Sequence, residues 1–161
     1  MREIRFDDLD TLRSLVGEDF GPWGRQITVS QERIQQFAEV TEDHQWIHLD
    51  VERARRESPF GGTIAHGFLI LSLVVPLRTR VDRAIVGYGN VVNYGSDKLR
   101  FVSPVPAGSV VHCRSRVIAV EQKPKGVVVS DEMQVAVVGS ETPAVSYQMI
   151  SLYQAPRGQA A

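Results

Sequence analysis

At 161 residues the chain has ordinary single-domain length and can bury roughly two thirds of its unfolded surface without disulfide or metal staples. Eighteen Lys and Arg against 19 Asp and Glu leave a formal net charge of −1, which excludes the global basic footprint of a nucleic-acid binder. Cys113 is the sole cysteine, so neither an internal disulfide nor a zinc knuckle can form, and a reducing cytoplasm is the expected compartment.

The chain opens on the charged stretch Met1-Arg2-Glu3-Ile4-Arg5-Phe6-Asp7-Asp8, which has no apolar signal core; no membrane partner is expected. Residues 7–16 suit a short helix with Leu9, Leu12 and Leu15 or Val16 on one side, closed by Gly17. After the turn-prone Gly21-Pro22-Trp23-Gly24 comes an extended piece over 26–29, and Ser30 then caps a helix carrying Ile34, Phe37, Ala38 and Thr41 at helical spacing. Asp43 falls just past its end. Asp50 caps another short helix through Glu57, and Ser58-Pro59-Phe60-Gly61-Gly62 breaks the chain into a loop.

Residues 68–77 are interrupted only by Ser72 and Pro76, which predicts a helix with no face left for water at the centre of the fold. The run is too short to span a bilayer, and Pro76 should kink or end it near residues 78–80. Beyond it the period changes from helical to alternating, over 85–94, 98–102, 109–120, 127–138 and 144–153. Val111, Cys113, Val117 and Ala119 share one strand face, with His112, Arg114 and Arg116 on the other. The links at 122–126 and 139–143 are hairpin length, and 156–161 reads as a polar tail. These elements predict one α+β domain over 1–161, core about 20–153, in which a curved antiparallel sheet wraps a central apolar helix: the hot-dog architecture. Its open edge predicts a homodimer.

Two segments concentrate the reactive side chains. Asp43 and His48, five apart, would lie on different sides of a regular helix and meet only if the helix ends near Thr41, where a carboxylate and an imidazole can share one water. Downstream, Gly61-Gly62-Thr63-Ile64-Ala65-His66-Gly67 leads into the apolar helix, whose first amides can hold an oxygen as it becomes negative. Each residue has a plainer use: an Asp after a helix as a turn former, a His beside Ile and Trp as packing, Gly67 as a tight turn, His66 as a cap. His44 and His48, four apart, could bind a metal on a helix, but no third ligand stands near them in sequence, and no metal is expected.

The chain resembles the MaoC-like hydratase/dehydratase family. The family pattern Ala-x-x-(Ser/Thr)-x-Asp-x-x-x-x-His, followed about twenty residues later by His-Gly and an apolar helix, is filled by Ala38, Thr41, Asp43, His48, His66 and Gly67. The wording Asp-His-Gln-Trp-Ile-His is similar to the nodulation protein N branch, as are Asn93-Tyr94-Gly95, Lys98-Leu99-Arg100-Phe101 and Pro104-Val105-Pro106-Ala107-Gly108. Glu42, Gln45, Trp46 and Ile47 depart from the common hydratase version, which has Gly before the Asp and Asn-Pro before the Leu-His.

The resemblance implies an R-specific 2-enoyl-CoA hydratase acting reversibly on an acyl-CoA thioester. Asp43 would be the principal base, His48 would orient the water and share in proton delivery, and the Gly67 amide would hold the thioester oxygen. No cofactor is implied, since coenzyme A is part of the substrate. His66, Asn93, Trp46 and Ile47 are candidate substrate-binding residues; Asn93 could equally be a turn residue, and Lys98, Arg100, Arg114 and Arg116 a solvated charged face. Two rivals stand beside this expectation: a hot-dog acyl-CoA thioesterase, which would want a carboxylate on the central helix where 68–77 has none, and a non-catalytic acyl-binding accessory protein.

Overall fold

A computed structural model of the chain describes residues 2–17, 19–78 and 83–158. Its first half carries β1 (Arg2–Arg5), α1 (Leu9–Arg13), β2 (Ile27–Thr28), α2 (Gln31–Thr41), α3 (Trp46–Leu49), α4 (Val51–Glu57), α5 (Gly67–Ser72) and α6 (Val74–Leu77). Its second half is strand: β3 (Arg83–Val86), β4 (Asn90–Phe101), β5 (Val110–Lys123), β6 (Gly126–Val137) and β7 (Val145–Gln154).

One antiparallel sheet runs in the order β2-β5-β6-β7-β4 and curls around α5 and α6, the architecture the alternating second half predicts. Inward side chains of β5, β6 and β7, among them Val111, Met133, Val135 and Tyr147, close on Leu69, Ile70, Leu73, Val74 and Leu77 of the helices. Each fully buried aliphatic chain of this kind contributes about 1.5–3 kcal/mol, which makes this contact the main stabilising layer. A second cluster, with Phe6, Leu12, Val117, Val129 and Tyr153, fills the far end of the sheet beneath α1.

Several local expectations are corrected. The central helix ends at Leu77 with Arg78 extended, as expected, but it is also broken at Leu73, because Pro76 has no N–H for the carbonyl of Ser72, four residues back. Nor is it apolar and buried all round: Phe68 and Val75 are 63% and 66% exposed, and together with exposed Ser72 they form an open stripe. Helix α1 covers less than 7–16; Val16 leaves it to bridge Val117. In place of a strand over 85–94, Arg83–Val86 departs from the main sheet to pair in parallel with β1, and β4 then runs unbroken through 98–101 by taking up two register shifts. A bulge at Ile118 shifts the alternation in β5, so that Val120 takes the buried place expected for Ala119. Residues 79, 80 and 159–161, part of the expected helix end and of the polar tail, lie outside the described residues.

Candidate active site

Helix α2 stops at Thr41, where the Thr hydroxyl turns back to the Phe37 carbonyl at 2.8 Å and Glu42 adopts the left-handed conformation at φ 59°. That reversal frees Asp43 from the helix. The single turn of α3, unforeseen in the sequence, then rotates His48 back towards it. Asp43 and His48 thereby converge, and His66, from the strap before α5, joins them: one ligand-type atom of each lies within 4.8 Å of the other two.

The surroundings of the two imidazoles define their proton positions. A carbonyl can only accept, so His48 donates Nδ1–H to the Ile64 carbonyl at 2.7 Å and keeps a lone pair on Nε2. Burial lowers the His48 pKa below its usual value of 6.5; the bond to Ile64 opposes this, nearby His66 adds to it, and Asp43 opposes it. Neutral His48 is therefore the favoured form. His66, 3% exposed at its side chain, donates Nε2–H to the Asp43 carbonyl at 3.0 Å, while its Nδ1 is buried without a hydrogen-bond partner. The Asp43 carboxylate is 55% exposed, its Oδ2 4.0 Å from His66 Nε2.

His48 also lines an apolar cavity of about 430 Å³ beside the amino end of α5. Gly67, Phe68 and Ile70 form one wall; Phe60, Phe101, Val102 and Val105 form others. As the first residue of α5, Gly67 has no intrahelical acceptor for its N–H. Its missing side chain matters too, since a Cβ there would stand 2.8 Å from the Phe101 ring. Phe60 and Phe101 were not singled out from the sequence, where a wall built from separate segments leaves no periodic trace.

The remaining candidates fall elsewhere. Trp46 is half-buried beneath the Arg53 guanidinium, 4.2 Å from its ring centre, and Ile47 uses its carbonyl to accept from Ile64 N–H; neither lines the cavity. Asn93 is not brought to His48 at all: it is exposed on β4 and faces a separate groove with Ser72, Val75 and Tyr147. Ser72 hydrogen-bonds the Phe68 carbonyl at 2.7 Å. His44 turns away, with Nε2 on the Ala38 carbonyl at 3.1 Å, so the metal-type set is Asp43, His48 and His66 rather than His44 and His48. Each histidine of that trio already commits one nitrogen to a backbone carbonyl, an arrangement that orients a ring equally well for a cation or for a water molecule.

Comparison with known proteins converges on one family. Residues 18–138 match the family model described as MaoC like domain. The chain is 40% identical over 153 residues to 3-hydroxyacyl-thioester dehydratase Z of Mycobacterium tuberculosis, covering 93% of this chain and 98% of that one. It is also 40% identical over 157 residues to nodulation protein N of Rhizobium leguminosarum bv. viciae, covering 96% and 94%. In fold it is similar to the unliganded R-hydratase PhaJ1 of Pseudomonas aeruginosa, with a TM-score of 0.67 at 24% identity over 87% of this chain and 82% of that one.

Proposed function

The chain belongs to the MaoC-like hydratase/dehydratase family, and on that premise we propose that it adds water across the α,β double bond of a 2-enoyl thioester, giving an R-3-hydroxyacyl thioester, and catalyses the reverse dehydration. The observation that carries this reading is the meeting of Asp43 with His48, which lines an apolar cavity that also exposes the first residue of α5.

In this mechanism one water donates to the Asp43 carboxylate and to His48 Nε2. As Asp43 withdraws a proton, the water oxygen bonds the β-carbon and the double-bond electrons move onto the thioester oxygen, which the Gly67 amide receives. The enolate then collapses, and the α-carbon takes the proton that left the water. Nothing in this sequence of steps calls for a metal or redox cofactor. The cavity walls suit an acyl chain, and coenzyme A is the proposed carrier.

The open edge strand β4 exposes Val91, Val92 and Tyr94, and Val75 shares a groove with Tyr94; a second copy of the chain would cover this edge, and we propose a homodimer. Among the described residues no helix is long and apolar enough to cross a membrane, and a cytoplasmic location is part of the proposal.

The test is incubation with crotonyl-CoA and longer 2-enoyl-CoA substrates, followed by loss of the conjugated thioester absorbance. Asp43→Asn and His48→Gln should each abolish it. Release of free thiol in place of hydration would shift the assignment to a thioesterase, although α5 and α6 offer no Asp or Glu for that chemistry.

A further inference from the structure

The strap of residues 63–66 holds the reactive turn at several points. Ile64 N–H reaches the Ile47 carbonyl at 3.2 Å, the Ile64 carbonyl fixes His48 Nδ1, and His66 holds the Asp43 carbonyl. Thr63 works through an intermediary. Its buried hydroxyl donates to Gln31 Oε1 at 2.6 Å, and Gln31 Nε2–H donates to the backbone carbonyl of His48 at 2.7 Å.

The direction of this chain of bonds is forced. The His48 carbonyl can only accept, so the amide nitrogen of Gln31 must face it, which leaves the amide oxygen to accept the Thr63 hydroxyl. Helix α3 is only four residues long and supplies no N–H four residues beyond His48 within itself, so the His48 carbonyl needs an outside donor. Gln31, at the first position of α2 and seventeen residues away, is that donor. Neither Gln31 nor Thr63 lines the cavity that His48 enters.

We propose that Gln31 and Thr63 form a two-link clamp that positions the His48 imidazole to orient the attacking water; both are positioning residues acting through His48. The inference rests on the hydration reading above. Its physical basis is the steep dependence of catalysis on placement, where a shift of about 1 Å costs on the order of 100-fold.

The test pairs enoyl-CoA hydration kinetics with NMR of the His48 Nδ1–H. Thr63→Val keeps the side-chain shape but strips the donor, and should lower kcat by about tenfold or more while KM stays within about twofold. Thr63→Ser should restore kcat. Gln31→Glu turns an acceptor towards the His48 carbonyl and should fail like Thr63→Val, and the double variant Gln31→Met/Thr63→Val should be no worse than the poorer single one. In the damaged variants the His48 Nδ1–H signal should shift or broaden. Gln31 is only partly buried, so Gln31→Met carries the test if Thr63→Val does not fold. Unchanged kcat with an unchanged His48 signal in Gln31→Met would overturn the clamp, as would a kcat loss in Thr63→Val that Thr63→Ser does not repair. If the wild-type protein hydrates no enoyl thioester, the hydration reading falls by itself; the His48 signal then decides the clamp, a perturbed one supporting it and an unperturbed one overturning it.

Discussion

The imidazoles of His48 and His66 stack with ring centres 3.8 Å apart and planes 29° from parallel, although they arrive from segments on either side of α4. Two rings this close cannot both become cationic without repulsion. The contact therefore works with burial to hold His48 neutral, its Nε2 lone pair available to a water.

The first prediction concerns pH. Since burial, and then His66, place the folded pKa of His48 below 6.5, the acid limb of the hydration rate should have its midpoint below 6.5 rather than at it. Stability follows the same sign. Between the folded midpoint and 6.5 the unfolded chain binds more protons at this residue, so this contribution is intact above 6.5 and lost as pH falls through the folded value. His112, lowered by burial and then by Arg114, adds in the same direction. Urea midpoints measured across this range in wild type and His48→Gln would check it; a flat profile in wild type contradicts it.

A methyl group at position 67 should harm activity more than folding. The added Cβ would press on the Phe101 ring at 2.8 Å, but that ring is half exposed and can swing aside, so Gly67→Ala should cost about 1 kcal/mol or less in denaturation. Hydration should fall by at least tenfold, on the order of 1.4 kcal/mol of lost transition-state binding, because the displaced ring reshapes the cavity wall. Gly67→Ala/Phe101→Ala should recover part of the rate if crowding is the cause.

The uncovered edge of β4 supplies a test of assembly. Tyr94→Asp places a charge on the exposed edge strand, where burial without a partner is costly. Light scattering should show the variant shifted to monomer at concentrations where the wild type is dimeric. A wild-type protein that is monomeric at every concentration would contradict the proposed dimer.

At the exit of α6, Arg78 donates from Nη2 to Asp131 Oδ2 at 2.5 Å, both side chains being largely buried. Asp131→Ala strands the guanidinium and should cost about 3–5 kcal/mol in denaturation, whereas Arg78→Met/Asp131→Leu should cost less because the Arg78 guanidinium is removed together with its carboxylate. Equal losses in the two variants would show that packing, not desolvated charge, dominates there.

Much of the architecture was legible in the residue order because it rests on local signals. Alternating apolar residues mark β5, β6 and β7, Ser30 and Asp50 cap α2 and α4 as their side chains imply, and the break after Thr41 had to exist for Asp43 and His48 to meet. The exposed stripe of Phe68, Ser72 and Val75 was not legible, because apolar composition is the same whether a face meets its own chain or is left open. The detour of Arg83–Val86 to β1 was hidden for a related reason: alternation marks a strand but not its neighbour.

The residue types and spacing alone determined that a carboxylate, an imidazole and a glycine amide stand ahead of an apolar helix in a largely strand-forming chain. Only the tertiary structure decided that His66 joins Asp43 and His48, that Asn93 faces another groove, and that Gln31 and Thr63 reach the backbone of His48. The physical reason is range: caps and alternation act over a few residues, whereas a hydrogen bond between residues 17 or 32 positions apart exists only once packing has closed the loop between them.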